Sequence, residues 1–246
     1  MTNCEHPGIA DSYVVSPLYI SWIAHGQAER MGQGWGDPSA TSVGPTRQSH
    51  DLEPPSVPGV CALARLDCGG LSEVYRGRCI RTGRAVAVKV LPTPFDRDAR
   101  AQFDLDRTRL GRLRHNPAIL QVDDFEALAD GRPYLVMELC IDSLAEVIER
   151  GERLSASSVV SYAHQLASAL SIAHDVGMLH GGVSPRNLLI RRTGQPVLSD
   201  FGLTLRQHYP GDPSNSTEFT APETPRDGSV TAKSDLYCLG ATLTPR

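Results

Sequence analysis

A lysine on an otherwise apolar strand, and a glycine-bearing turn ahead of it, are the residues whose types and spacing first suggest chemistry. The lysine is Lys89, closing the run V-A-V-K. An ammonium among aliphatic neighbours is costly unless compensated. Either it reaches solvent at the end of its strand, or it holds a carboxylate or phosphate oxygen. The turn is L-D-C-G-G-L-S-E-V-Y, Leu66 to Tyr75, where Gly69 and Gly70 would let backbone amides face a polyphosphate. Alone, that segment reads better as a plain hairpin turn. The cysteines at 4, 61, 68, 79, 140 and 238 form no C-x-x-C pair. Their spacing argues against a cysteine metal centre and fits a reducing, cytoplasmic setting.

Short β-rich runs position these residues: V-C-A-L-A-R-L from Val60, E-V-Y-R-G-R-C-I from Glu73 and A-V-A-V-K-V-L from Ala85, the last two joined by R-T-G-R. Asp98 to Arg114 carries Phe103, Leu110 and Leu113 at helical spacing, with Pro117 beyond its end. Apolar runs at Ile119 to Val122 and Tyr134 to Leu139 complete an expected five-stranded antiparallel sheet. After residue 142 the period becomes helical. Ser143 to Arg150 is a short helix, and Ser155 to His174 a long one with Val159, Ala163, Leu166, Leu170 and Ala173 on one stripe and Gly177 as its stop. A last helix is expected from near Asp235, with Leu236, Leu239 and Leu243 on its apolar stripe. The fold class is therefore α+β, a small sheet lobe followed by a helical lobe.

The net charge of −4 and the pI near 6.1 argue against nucleic acid or an anionic membrane as the main partner. Lysine occurs only at Lys89 and Lys233 among 24 basic residues, a bias resembling a GC-rich bacterial genome. Residues 1–57 mix Gly, Pro, Ser and Thr without a sustained period and are expected to be a disordered extension, ending in the proline-dense linker Asp51 to Pro58. The apolar stretch Tyr13 to Ala24 is broken by Pro17 and too short to span a bilayer, so no membrane segment or signal peptide is expected. It could dock on a protein partner.

Further along come H-G-G-V-S-P-R-N-L-L (His180 to Leu189), D-F-G (Asp200 to Gly202), A-P-E (Ala221 to Glu223) and S-D-L-Y-C-L-G (Ser234 to Gly240). In this order behind V-A-V-K, they resemble the protein kinase family, and within it the actinobacterial Ser/Thr kinases. The resemblance covers residues 58–246 and implies a two-lobed fold, with 58–140 as the N-lobe and 141–246 as a partial C-lobe. It implies that Lys89 holds nucleotide phosphates and that Asn187 and Asp200 are magnesium ligands, so that ATP and Mg are the expected cofactors and a protein the substrate or partner. It also implies that Leu66, Gly69 and Gly70 cover the phosphates, and that Val74, Ala87 and Leu189 sandwich adenine. Met137 stands at the gatekeeper position, and Glu138 to Cys140 match the hinge. Leu110, His180 and Phe201 match a stack that couples the lobes.

The departures fall on the chemistry. His180-Gly181-Gly182 stands where the family has His-Arg-Asp, so the carboxylate that accepts the substrate proton is absent. Such a loss costs about 10²- to 10⁴-fold in rate. Ser184 replaces the loop lysine, and Gly181 the arginine that pairs with a phosphorylated activation segment. Asp106 stands where the family has the glutamate that partners Lys89, one methylene short. Asp67 and Ser72 replace two glycines of the phosphate loop. The chain stops at T-L-T-P-R, where a family member would continue the helix. Three readings follow: a kinase-like domain that binds ATP weakly with impaired transfer, an active kinase using another base, and a nonfunctional gene fragment.

Overall fold

The structure, a computed structural model, describes residues 54–67, 72–201, 217–224 and 229–244. Five strands form the first sheet in the order β1-β2-β3-β5-β4: β1 (Val60–Asp67), β2 (Glu73–Cys79), β3 (Ala85–Val90), β4 (Val122–Ala127) and β5 (Pro133–Glu138), all neighbours antiparallel. The β2–β3 turn closes through Gly83, whose φ of 68° lies in the left-handed region that glycine enters without a steric cost. Gly77 is required for a different reason. A Cβ there would lie 2.5 Å from Val60 Cγ1 and 3.0 Å from Leu63 Cδ2, so a side chain at 77 would have to displace those two side chains of β1.

Alternation along the sheet separates two cores. Tyr75, Val86, Val88, Val90, Tyr134 and Val136 bury one face, and Val57 packs with them at 4% exposure. The sheet lobe therefore draws on a residue that the sequence reading assigned to the linker. The other face carries Ala87, Leu135 and Met137 against helix α1 (Arg97–Leu113). That helix starts at Asp96, whose side chain accepts from Ala99 N at 2.8 Å, a cap contributing about 1 kcal/mol. Its Phe103 stacks on Phe125 at 3.9 Å between ring centroids.

The fourth strand departs from expectation. Ile119 to Val122 is not its body, because β4 begins at Val122. Residues 118–120 instead bond to the second sheet, with Leu120 N donating to Leu198 O and Leu198 N to Ala118 O, both at 2.9 Å. That second sheet is β6 (Asp142–Ser143), β7 (Leu188–Ile190) and β8 (Pro196–Leu198).

The helical lobe is built on α2 (Leu144–Glu149), α3 (Ala156–Asp175) and α4 (Ala232–Leu243). Helix α3 buries Leu166, Ala169, Leu170 and Ala173 completely. Helix α4 starts three residues earlier than expected, where Thr231 and Ser234 form a reciprocal cap. Its inward stripe is Asp235, Cys238, Leu239, Thr242 and Leu243, which leaves Leu236 49% exposed instead of in the core.

Candidate functional site

Strand register brings the N-lobe candidates onto one face. Val74 lies opposite Lys89 and Ala87 opposite Met137. Positions two apart on a strand share a face, so Val74, Ala87, Lys89, Leu135 and Met137 form a continuous surface. Leu189 from β7 and the hinge residues Leu139 and Cys140 pack against the apolar cluster that contains Ala87 and Met137. Roof and floor residues predicted from separate motifs thus meet in one cluster. Leu66 is half-buried in β1. Gly69, Gly70, Gly202 and the apolar stretch Tyr13 to Ala24 lie outside the described residues.

Lys89 finds its anion in Asp200, with Nζ 2.8 Å from Oδ1. Asp106, at the position of the family's glutamate, forms no ion pair with Lys89. Asp106 accepts from Gln102 Nε2 at 3.2 Å and lies 3.5 Å from Arg109 Nη1, within its own helix. The side chain is one methylene shorter than glutamate and stops among its helical neighbours. Asp106 still lines the same small cavity, about 30 Å³, as Leu110, Asp200 and Phe201. Asp200 has φ of 60°, a left-handed backbone uncommon for a residue with a side chain and frequent where a site over-determines its geometry.

The loop from His180 to Asn187 is held by backbone contacts. Asp235, 1% exposed, accepts from His180 N at 2.8 Å and Gly181 N at 2.7 Å, and its Oδ2 lies 2.9 Å from His174 Nε2. Gly182 N donates to His180 Nδ1 at 3.2 Å, which places the neutral ring's proton on Nε2. The His180 ring lies 4.6 Å from that of Phe201, so two members of the predicted stack are in contact. Asn187 Nδ2 donates to the Gly182 carbonyl at 2.8 Å, which leaves Oδ1 as an acceptor for a cation. Ser184 is buried, and its hydroxyl has no hydrogen-bond partner among the described residues, an arrangement costing about 1–3 kcal/mol.

Chemically, the arrangement offers a cation at Lys89 and hard oxygen donors at Asn187 and Asp200. Among the described residues no group of three or more His, Cys, Asp or Glu could hold a metal unaided. That donor set fits magnesium, which keeps waters and shares phosphate oxygens with one or two protein ligands. At the hinge, burial first and the Glu138 carboxylate second push the Cys140 thiol up to about 12, so it stays a neutral lining group. Glu138 spends both carboxylate oxygens on Arg191, at 2.9 and 2.5 Å, a contact the sequence reading missed, as it did the role of Asp235. Partners 53 and 54 to 61 residues apart leave no periodic trace, although Asp235 lies inside the S-D-L-Y-C-L-G motif.

The family model described as "Protein kinase domain" matches residues 63–245. Serine/threonine-protein kinase PknK of Mycobacterium tuberculosis is 39% identical over 216 residues, covering 82% of this chain and 19% of the relative. PknL of the same organism is 35% identical over 190 residues, covering 73% of this chain and 47% of the relative. The chain thus spans less than half the length of either. The crystal structure of the Mycobacterium tuberculosis PknI kinase domain superposes with a TM-score of 0.58 at 26% identity, covering 76% of this chain and 73% of that one. Among the described residues no helix is long and apolar enough to cross a membrane.

Proposed function

We propose, from the premise that this chain belongs to the protein kinase family and is a domain of the Ser/Thr type, that it binds Mg-ATP weakly, transfers phosphate poorly if at all, and acts through a protein partner. The observation that carries this reading is the contrast within one site. Lys89, Asn187 and Asp200 keep the groups that hold phosphate and metal, while Gly182 has no side chain where a proton acceptor is needed.

Bound Mg-ATP would supply the phosphoryl group. Lys89 would exchange the Asp200 carboxylate for phosphate oxygens, freeing Asp200 to join Asn187 Oδ1 on the cation. Val74 and Ala87 above and Leu189 below would exclude water from the adenine. Gly182 cannot orient an acceptor hydroxyl or take its proton, and Ser184 brings no cation to the developing charge. Binding and transfer are therefore expected to separate in this protein.

Thermal melting with millimolar Mg-ATP tests the reading. A ligand that binds only the folded state raises Tm by mass action. The wild type should shift by a few degrees and Lys89→Met should not, while phosphotransfer to a generic acceptor protein stays near background. An equal shift in both proteins would refute the binding site. Transfer at about 1–100 per second, the ordinary range for protein kinases, would refute the impairment.

A further inference from the structure

We propose that Arg191 is a positioning residue for the nucleotide site, and that its fork on Glu138 sets the gap between the adenine roof and floor at the hinge. This rests on the nucleotide-binding reading above. Arg191 Nε donates to Glu138 Oε2 at 2.9 Å and Nη2 to Oε1 at 2.5 Å, while Nη1 donates to the Pro117 carbonyl. Glu138 Oε1 also accepts from Gln121 N at 3.2 Å, and Glu138 N donates to Gln121 O at 3.1 Å.

An exposed ion pair of two mobile side chains contributes little. This one differs in three respects. Both side chains are more than four-fifths buried, at 18% and 17% exposure. The planar guanidinium meets both carboxylate oxygens, a geometry that fixes direction as well as distance. The third donor ties the pair to the chain entering β4.

The placement gives the pair its consequence. Glu138 ends β5 opposite Val86 of β3, one residue from the Ala87–Met137 pair that forms the roof. Arg191 directly follows β7, which carries Leu189, the floor. Ile141 N donates to Ile190 O at 3.0 Å, and Asp142 pairs with Ile190, so backbone bonds already join hinge and floor on the far side of Cys140. The Arg191 fork closes the near side. With both joints in place, the three residues between Glu138 and Asp142, which include the hinge residues Leu139 and Cys140, are fixed at each end.

Two measurements on the full chain decide the proposal. Hydrogen exchange without nucleotide should show the Glu138 and Ile141 amides of Arg191→Met opening about tenfold faster than in wild type, with the α3 amides of Leu166 to Ala173 unchanged. Parallel loss of protection in α3 would mean general destabilisation and would overturn the positioning role, as would unchanged hinge exchange. Binding then separates base from phosphates. Arg191→Met should weaken Mg-ATP about tenfold and leave magnesium tripolyphosphate, which lacks the base, unaffected. Equal weakening of both ligands would also overturn it. Glu138→Gln, which keeps the shape and removes the charge, should act in the same direction, and the double variant should be no worse than Arg191→Met alone. If wild type binds neither ligand, the nucleotide reading falls, and the exchange data alone decide the clamp. Should Arg191→Met fail to fold, Arg191→Lys keeps the charge without the fork and is expected to show the same hinge opening.

Discussion

The sheet face around Lys89 and the loop around Gly182 belong to one site in the nucleotide-binding reading proposed above, and they differ in what holds them. On the sheet the side chain survives, and its ion pair with Asp200 holds at 2.8 Å even though Asp106 does not reach it. In the loop the backbone frame is held, and position 182 carries no side chain. Asp235 still gathers the His180 and Gly181 amides and Asn187 still holds the Gly182 carbonyl, around a residue with nothing to present. The difference follows from what each arrangement rests on. A loop backbone held by Asp235 and Asn187 does not depend on the side chains at 181, 182 and 184, so those can change without disturbing the path. An ammonium on an apolar strand has no such independence, because removing its anion leaves a charge uncompensated.

The largest effect should come from restoring the missing groups to the intact frame. Gly182→Asp with Ser184→Lys is expected to raise phosphotransfer by about 10²-fold or more, with the pair exceeding either single change because both act on one transition state. Nucleotide turnover with a generic acceptor protein reads this directly. If the double variant is as inactive as wild type while still binding nucleotide, the frame is not in the productive geometry, and the division between frame and chemistry drawn here breaks.

Frame and side chain can also be compared in stability. Asp235→Ala strands the buried His180 amide, the part-buried Gly181 amide and His174, and should cost about 3 kcal/mol in denaturant unfolding. Ser184→Ala removes a buried hydroxyl that has no hydrogen-bond partner among the described residues, and should stabilise by about 1 kcal/mol. If Ser184→Ala proves as costly as Asp235→Ala, then the hydroxyl is part of the frame and the comparison has been misdrawn.

Much of this was legible because it is local. The capped helices at Asp96, Ser143 and Ser155 start within a residue of where periodicity puts them. The strand carrying Lys89 is where its β-branched neighbours require it. What could not be read depends on which distant segment supplies a partner. The apolar run at Ile119 has no period that distinguishes pairing with β5 from pairing with β8, and the structure chooses β8 for residues 118–120. A carboxylate at position 106 announces a charge near Lys89 without announcing its reach. Leu236 fits an apolar stripe by spacing, yet the reciprocal cap at Thr231 sets a rotation that turns Asp235 inward and Leu236 outward.

A comparably small effect is expected as a pH dependence just beyond the hinge, where side chains hold the backbone. Glu146 caps α2 by accepting from Ser143 N at 2.7 Å and Ser143 Oγ at 3.0 Å, beside Asp142, which is itself gripped by Arg150. Burial first, and a hydrogen bond to Asp142 second, push the Glu146 carboxyl up to about 7 from its ordinary 4.5. A folded-state value above the unfolded one means that the folded chain binds the proton more tightly. The resulting stabilisation is fully present below about 4.5 and is lost as the pH rises through 7. With solvent screening discounted, the loss is on the order of 1 kcal/mol. Glutamine at 146 can still accept from the Ser143 amide, so Glu146→Gln should keep the cap while flattening this part of the curve. Denaturant unfolding of both proteins at pH 5 and pH 8 supplies the comparison. The wild type should lose more stability across that interval than the variant, and identical losses would show that Glu146 is ionised throughout and that its contacts to Ser143 outweigh its burial.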